Sequence, residues 1–394
     1  MWNLSRRGFL QQSGMAAALL GTSGIGRSEE IIQGFEETTV EVDSQQPWEQ
    51  KYERKIRVGI AGFGLCEFGA VFGFQDHPNV EVAAVTDLIP ERCQGLAKAT
   101  RCEKTYPSLE EMVNDDSLEA IYCATDAPSH ADHCILAMNH GKHVATAVPA
   151  VFGNVEDAYR VYETVKKTGL NYMMFETSFY HAPVYAMRQL YNEGKLGKII
   201  YSEGEYYHYM PTALASYKDW RVGLPPQYYP THSNAYYCGV SGGSFTAVSC
   251  MGMRSIVPHL TADNNRYKNP FGTEVALFRT SEGGMSRMAV SWDTPGHSGE
   301  MGRVRGEKGS YYDTFQGLDT VNIPLKPQLP GGVSAGGHGG SHGYLMNEFV
   351  MSILEKRRPL IDVSLSLNLT VAGIVAHQSA LKDGQLMAIP QFFS

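Results

Sequence analysis

The sequence contains no Cys-x-x-Cys pair, and its seven cysteines form an odd set. Small exported proteins that depend on disulfides have even sets of closely spaced cysteines, so this class is excluded. Histidines and cysteines do not cluster at zinc-ligand spacing, and no metal site is predicted. The cysteines are typical of a chain that folds with reduced thiols.

Long apolar runs and an excess of positive charge are also absent. No run approaches the roughly 20 apolar residues that a membrane span requires, which predicts no stable membrane anchor. The formal net charge is −8, and this argues against a nucleic-acid partner. Hydrophobic residues make up 43% of the chain, which is enough for two buried cores.

The first residues contain a pattern that is typical of export. Arg6 and Arg7 stand in Ser-Arg-Arg-Gly-Phe-Leu, and an apolar stretch follows at residues 15–20. The pattern predicts a twin-arginine (Tat) signal at residues 1–27, recognition by the Tat export machinery, and a periplasmic or otherwise exported protein. Residues 28–54 contain several glutamates and are predicted to form a linker or N-terminal arm.

The most informative segment runs from residue 56 to residue 87. An apolar strand enters a glycine turn at Gly62 and Gly64, and a second strand ends at Asp87. In such a unit the N–H groups that begin the next helix approach a pyrophosphate, and the acid binds the ribose hydroxyls. The segment therefore predicts a dinucleotide site. It favours NAD over NADP, because a carboxylate repels a 2′-phosphate.

One position departs from the glycine fingerprint of dinucleotide sites. The chain has Glu67 where a third glycine is expected, and Gly69 follows two residues later. Either the helix starts differently or the glycine has shifted along the chain.

Alternating strands and helices continue as far as residue 175. This order predicts a doubly wound parallel sheet whose strand ends line a cofactor crevice. From residue 178 the pattern changes to one amphipathic helix, several segments typical of antiparallel strands, and two closing helices. We expect an α/β Rossmann domain at residues 55–178 and an α+β domain with a large, mostly antiparallel open sheet at residues 179–394.

Three segments resemble a known family. They are Gly141-Lys142-His143-Val144, the strand end at Glu176, and Leu190-Tyr191-Asn192-Glu193-Gly194-Lys195-Leu196-Gly197-Lys198-Ile199. Over about residues 55–390 the chain resembles the Gfo/Idh/MocA family of NAD(P)-dependent sugar oxidoreductases. The resemblance implies that a carbohydrate substrate lies between the open sheet and the nicotinamide. It also implies a homo-oligomer built through that sheet.

One departure from this family concerns proton transfer. Family dehydrogenases carry Glu-Lys-Pro after the strand that ends near residue 146, and the lysine assists proton transfer at the reacting hydroxyl. Here the tripeptide is Ala147-Val148-Pro149. Val148 cannot carry a proton, so either another residue is the acid or base, or the redox activity is lost.

A narrower resemblance addresses this departure. The chain is similar to the NAD-dependent glycoside hydrolases typified by α-N-acetylgalactosaminidase, which also have Val-Pro at this position. The family's Glu before Val-Pro is Ala147 here, and residues 234–243 differ in detail. Four local matches support the likeness: Met173-Met174-Phe175-Glu176 with Tyr180, Tyr207-His208, Tyr229-Pro230-Thr231-His232, and Gly337-His338-Gly339-Gly340.

This second resemblance implies redox-neutral chemistry on a sugar. C3 is oxidised transiently, C2 is deprotonated, the leaving group is eliminated, water adds, and C3 is reduced again. These steps need a base and groups that polarise a ketone. Tyr180 is the candidate base, His232 is the candidate partner for proton transfer or polarisation, and His208 and His338 are further candidates.

The cofactor is expected to contact residues at the carboxyl ends of the parallel strands. Structural roles are the alternatives for some of these residues: His130 can cap its helix, and Glu176 can be a solvated strand end. Tyr180 can equally be a core residue in a chain with 22 tyrosines. The candidates for cofactor contact are Gly62, Phe63, Gly64, Leu65, Asp87, Thr125, His130, Val148 and Glu176.

Export adds a constraint, because no NAD pool outside the cytoplasm reoxidises a released NADH. An exported enzyme must therefore keep NAD tightly bound and regenerate it in place in each cycle, which favours a redox-neutral glycoside hydrolase. A sugar oxidoreductase of the glucose–fructose oxidoreductase type, which reduces a second sugar, is the first alternative. A non-catalytic sugar-binding protein is the second, because Glu67, Ala147 and Val148 depart from the family pattern.

Overall fold

Two sheets organise the residues that this computed structural model describes, 47–323 and 325–393. The predicted Tat signal lies outside these residues, and so does most of the predicted linker. Within the described part of the chain, none of the helices has both the length and the apolar character needed to span a bilayer.

The first sheet is wholly parallel and has six strands. They are β1 (Ile56–Ala61), β2 (Val80–Thr86), β3 (Thr105–Tyr106), β4 (Ala120–Cys123), β5 (His143–Thr146) and β6 (Tyr172–Met174). Their order is β3-β2-β1-β4-β5-β6, and each adjacent pair is parallel. The order reverses between β1 and β4, and ligands bind at such a switch point in doubly wound sheets. The predicted Rossmann architecture is confirmed.

Local sequence signals explain where the connecting helices begin and end. Ser108 caps one helix by accepting a hydrogen bond from the N–H of Glu111 at 3.4 Å, as its spacing predicts. Asn154 caps another, which ends at Gly169 in the left-handed conformation (φ 68°). The helices of this domain are α1 (Phe68–Val71), α2 (Pro90–Thr100), α3 (Leu109–Met112), α4 (His130–Asn139) and α5 (Val155–Thr168).

The glycine turn after β1 packs directly against α1. A Cβ on Gly69 would lie 2.2 Å from the carbonyl oxygen of Gly62, so no side chain fits there unless the backbone moves. Helix α1 begins only at Phe68, after Glu67 in the left-handed conformation (φ 55°). The helix therefore starts late, and Gly69 provides the close contact expected of the third glycine.

The second sheet has eight strands and is mostly antiparallel, as predicted. Its order is β13-β12-β11-β7-β10-β9-β8-β14, and only the β7–β10 pair is parallel. Its strands are β7 (Ile199–Tyr207), β8 (Phe245–Arg254), β9 (Phe271–Thr280), β10 (Met285–Ser291), β11 (Gly299–Gly306), β12 (Gly309–Tyr312), β13 (Thr314–Gly317) and β14 (Met387–Ala388).

Helix α10 fixes the second sheet to the first. The remaining helices are α6 (Ala182–Asn192), α7 (Thr231–Asn234), α8 (Gly337–Gly340), α9 (His342–Leu354) and α10 (Val363–Ala380). Almost every residue of α10 is buried, and the helix contacts β8, β6 and α5. At its C-terminal end, His377 donates from Nδ1 to the buried carboxylate of Glu274 at 2.7 Å.

The opposite face of the second sheet is open. Val248 and Cys250 of β8 are fully buried, whereas Met251 and Met253 are 63% and 68% exposed. Alternate residues of a strand point to opposite faces, so these methionines lie on the face away from α10. Leu277 of β9 is also exposed.

We expect Gly69→Ala to lower the free energy of unfolding by about 1–3 kcal/mol, because the added methyl group meets the backbone of Gly62. Urea unfolding followed by tryptophan fluorescence measures this change. Gly331→Ala is the matched control, since a Cβ there meets no atom within 4 Å, and its unfolding midpoint should not move. Unchanged stability of Gly69→Ala would show that the turn has room for a side chain.

Candidate active site

An open cleft of about 860 Å³ lies at the carboxyl ends of β1, β2 and β4. Gly62 (φ 93°) and Gly64 (φ 73°) bring the backbone of the turn to its edge. A Cβ on Gly62 would lie 2.4 Å from the carbonyl oxygen of Ala124, so the turn can close only around a glycine. Leu65 and Thr125, two of the predicted cofactor contacts, complete this wall. These residues form a cradle that fits the pyrophosphate of a dinucleotide.

Asp87 is held at the same edge by two backbone N–H groups. Phe63 donates to Oδ2 at 2.8 Å and Ile89 donates to Oδ1 at 2.9 Å. Each carboxylate oxygen keeps a further lone pair, which can accept from a ribose hydroxyl. Phe63 thus contributes its backbone N–H to positioning Asp87.

The opposite wall of the cleft comes from the second domain. Ala215, Ser216, Tyr217, Trp220 and Arg221 line it. The guanidinium group of Arg221 lies 4.2 Å from the ring centre of Trp220, and the backbone N–H of Arg221 donates to the hydroxyl of Ser216 at 3.1 Å. Nothing in the local sequence indicates that this segment reaches the cofactor cleft.

Four predicted cofactor contacts are not among the residues that line this cleft: Phe63, His130, Val148 and Glu176. His130 is buried, with Nδ1 2.8 Å from the carbonyl oxygen of Pro149 and Nε2 3.1 Å from that of Thr125. It therefore links the two loops that follow β4 and β5. Val148, which directly precedes Pro149 in the sequence, is buried in the core. Glu176 belongs to a different cluster.

A second cavity, of about 910 Å³ and open to solvent, has four histidines among its ten lining residues. Two predicted residues, His208 and His338, are among its walls. Burial lowers the pKa of His338 to about 4, so this imidazole is neutral at pH 7. The complete lining is His181, Tyr206, His208, Gly296, His297, Ser298, Gly299, Glu300, His338 and Gly339.

A buried array of charged groups adjoins this cavity. His232 Nδ1 lies 2.7 Å from Glu176 Oε1 and 3.5 Å from Glu300 Oε1. His181 Nδ1 lies 3.1 Å from Glu300 Oε2. The hydroxyl of Ser178 contacts His232 at 3.1 Å and donates to Glu300. The array therefore joins the segment after β6, helix α7 and strand β11.

The carboxylates of this array control the charge of its histidines. Burial alone would lower the pKa of His232, but Glu176 and Glu300 outweigh it and raise the pKa to about 9. Burial and Glu300 oppose each other in the same way at His181, and its pKa is raised. The pKa of each carboxyl is lowered in spite of burial, by His232 at Glu176 and by His181 and His232 at Glu300. At neutral pH the array holds two carboxylates and the imidazolium ion of His232, and the raised pKa of His181 favours its charged form as well.

Tyr180 lies apart from the linings of both cavities. Its ring stacks on Tyr344, with the ring centres 5.3 Å apart, and next to Tyr185 at 6.4 Å. Burial raises the pKa of its phenol, which favours the protonated form. Tyr206 is the tyrosine that lines the second cavity, and its ring centre lies 4.5 Å from that of His232.

Sequence reasoning missed three residues of this region. His181 directly follows Tyr180, so a search of that strand end for every titratable side chain could have found it. Glu300 stands alone after a glycine-rich loop, and Arg221 stands in an irregular segment. Neither carries a local signal, because only the tertiary fold brings it to a cavity.

The part of the chain with the cofactor cleft matches a family model. Residues 56–176 match the Gfo/Idh/MocA model, an oxidoreductase family with an NAD-binding Rossmann fold. This segment contains the parallel sheet, the glycine turn and Asp87.

Several proteins of known sequence or structure are similar to this chain. Glycosyl hydrolase family 109 protein 1 of Bacteroides thetaiotaomicron is 29% identical over 199 residues, which are 47% of this chain and only 42% of that protein. A glycosyl hydrolase family 109 protein of Saccharopolyspora erythraea is 23% identical over 439 aligned positions, covering 98% of this chain and 94% of that protein.

Scyllo-inositol dehydrogenase of Lactobacillus casei, solved with NAD(H) and scyllo-inositol, superposes with a TM-score of 0.66. It is 17% identical, and the superposition covers 85% of this chain and 99% of that one. At this identity the likeness concerns the fold, and it extends over both sheets. At residues 56–176, the chain carries the NAD-binding Rossmann domain of the Gfo/Idh/MocA oxidoreductase family.

Proposed function

We propose that this protein is an NAD-dependent enzyme that acts on a carbohydrate and that its net reaction is redox-neutral hydrolysis of a glycoside. The observation that carries the proposal is the histidine–carboxylate array at the second cavity, in a chain whose Val148 replaces the proton-carrying lysine. The likeness to glycosyl hydrolase family 109 proteins supports the same reaction class.

The residues of the first cleft would hold the cofactor. Its walls offer backbone N–H groups for the pyrophosphate, the Asp87 carboxylate for a ribose, and Arg221 on the far side. When bound, NAD accepts a hydride from the sugar and returns it. We propose that the cofactor stays bound and is recycled in place, as export through the Tat pathway to the periplasm would require.

His232 and His338 have different roles in proton transfer at the second cavity. With its pKa raised to about 9, His232 is an imidazolium at neutral pH and can donate a hydrogen bond to a developing oxyanion. His338 is neutral there and can accept a proton. Two titratable groups whose environments move their pKa values apart are a sign of acid and base roles. Activity that depends on protonated His232 should fall as pH rises through about 9.

A sugar oxidoreductase that alternates between two sugars would use the same cleft and array, and a sugar-binding protein would use only the second cavity. One assay separates these functions. We expect aryl glycosides labelled with deuterium at C2 to release the aglycone and to lose deuterium to water, because C2 must be deprotonated. Mass spectrometry of the sugar measures the loss, and extraction of the denatured protein measures bound nucleotide.

Two other results would contradict hydrolysis. Bound cofactor that is reduced by a free sugar, without glycoside cleavage, would indicate the oxidoreductase. A protein that contains no nucleotide and is inert in both assays would indicate sugar binding alone.

The base can be assigned by comparing two variants. We expect His338→Gln to lower kcat by about 10²–10⁴-fold, the usual effect of removing a general acid or base, with bound cofactor unchanged. Tyr180→Phe should keep activity within about tenfold of the unmodified protein, since its phenol is packed against Tyr344 and held protonated. Steady-state kinetics provides the comparison. An inactive Tyr180→Phe variant that retains NAD would instead identify Tyr180 as the base.

We also propose a homo-oligomer that buries the open face of the second sheet. Exposed methionines on a broad sheet face are unusual for a monomer. We expect the double substitution Met251→Glu and Met253→Glu to yield a smaller species in light scattering coupled to gel filtration. Leu381→Glu, at an exposed residue just after α10, is the control and should leave the mass unchanged. An unchanged mass of the double variant would exclude this face.

A further inference from the structure

Glu300 joins two histidines that approach the second cavity from different parts of the chain. It lies at the start of β11, directly after the loop that lines the cavity, and its side chain is only 8% exposed. One carboxylate oxygen contacts His181 at 3.1 Å, and the other lies 3.5 Å from His232. Glu176 forms the second carboxylate contact of His232. The array beside the cavity therefore has two histidine–carboxylate pairs, of which His181 and Glu300 line the cavity itself, and the proposed function uses only the pair of His232 and Glu176.

The second ring nitrogen of His181 has no hydrogen-bond partner in the part of the chain that the structure describes. Nδ1 faces Glu300, while Nε2 is buried and makes no hydrogen bond to the described residues. Beside it, a Cβ on Gly339 would lie 3.0 Å from Nε2, so a side chain at this position would crowd the imidazole. A buried donor without a partner is costly, and a ligand oxygen in the cavity would satisfy it.

We propose that His181 is a catalytic general acid that protonates the oxygen of the leaving group and that Glu300 is the positioning residue that keeps His181 ready to donate. The proposal rests on the proposed glycoside hydrolysis. As the bond between C1 and the glycosidic oxygen breaks, its electron pair remains on that oxygen, which takes the proton from His181 Nε2. When water adds to the sugar, neutral His181 recovers a proton from that water.

Under this assignment, each histidine–carboxylate pair has a single role in the reaction. His232, paired with Glu176, stabilises the oxygen at the oxidised carbon, and His181, paired with Glu300, serves the departing oxygen. Both need to be protonated at neutral pH, and the two carboxylates make this possible because an opposite charge within about 4–6 Å favours the charged form. Loss of Glu300 should affect His181 more, since His232 keeps Glu176.

Several other titratable groups surround the two histidines. His338 and His342 interact electrostatically with His181 and oppose its protonation. Burial lowers the pKa of both, to about 4 and about 3. Further groups around the array are Tyr206 on β7, His208 directly after that strand, Tyr229 before α7, Tyr236 after it, and Arg221 beside Tyr229.

Leaving-group dependence tests the catalytic part of the proposal. We expect His181→Gln to slow the cleavage of alkyl glycosides by about 10²–10⁴-fold, because a poor leaving group needs the acid. Cleavage of 4-nitrophenyl glycosides should stay within about tenfold, because nitrophenolate leaves without a proton. An equal loss for both substrates, or no loss for either, would overturn the role of His181. If the unmodified protein cleaves no glycoside, the proposed function fails instead.

Histidine titration tests the positioning part without any substrate. In the full protein labelled with ¹³C at histidine Cε1, Glu300→Gln should lower the titration midpoint of His181 by about 1–3 pH units. Glu300→Asp should recover most of this shift and provides a second variant if the amide disturbs folding. Glu203→Gln, an ion-paired carboxylate on the open face of the same sheet, is the control and should leave His181 unchanged. A midpoint that does not respond to Glu300→Gln would contradict the proposal.

Discussion

The buried ion pair between Glu176 and His232 is the contact on which the arrangement of the active site depends. Glu176 follows the last strand of the parallel sheet, and His232 lies on α7 of the second domain, 2.7 Å away. Removing one partner of such a buried pair leaves the other charge poorly compensated and costs about 3–5 kcal/mol. The pair therefore fixes one domain against the other beside the second cavity.

The loops after β4 and β5 are connected by one histidine, and the loop after β5 lacks the lysine of the family dehydrogenases. The two ring nitrogens of His130 lie within hydrogen-bond distance of the backbone carbonyl oxygens of Pro149 and Thr125, so this residue connects both loops. Val148 contributes a buried apolar side chain where a proton carrier would otherwise stand. Proton transfer then has to come from residues beyond β6, and the histidines of the second cavity are placed to supply it.

The sequence predicted the fold well where signals were local. A proline begins helix Pro90–Thr100, and an asparagine cap and a glycine mark the two ends of helix Val155–Thr168. Strand β8 was not predicted, because it contains Gly252 and few β-branched residues. Its pairing with β9 and its packing against α10 stabilise it instead.

The site was likewise predictable only where its residues form a local motif. The glycine turn and Asp87 form a local motif, and Gly62, Gly64 and Asp87 line the first cleft together. Glu300 is 122 residues from Ser178, its hydrogen-bond partner, and only the closing of the second sheet brings them together. Tyr180 has the right place in the sequence, but its side chain turns to an aromatic cluster. No local pattern encodes that direction.

The balance of charge in the array has a consequence for how a ligand arrives. The imidazolium of His232 offsets one of the two carboxylates, the raised pKa of His181 favours a second positive charge, and neither lysine nor arginine lines the second cavity within the described residues. The chain as a whole carries a formal charge of −8. No long-range attraction therefore draws an anion inward, and a sugar phosphate or uronic acid would find repulsion outside and no counterion inside. Neutral sugars would enter by diffusion alone, at a rate that added salt does not change.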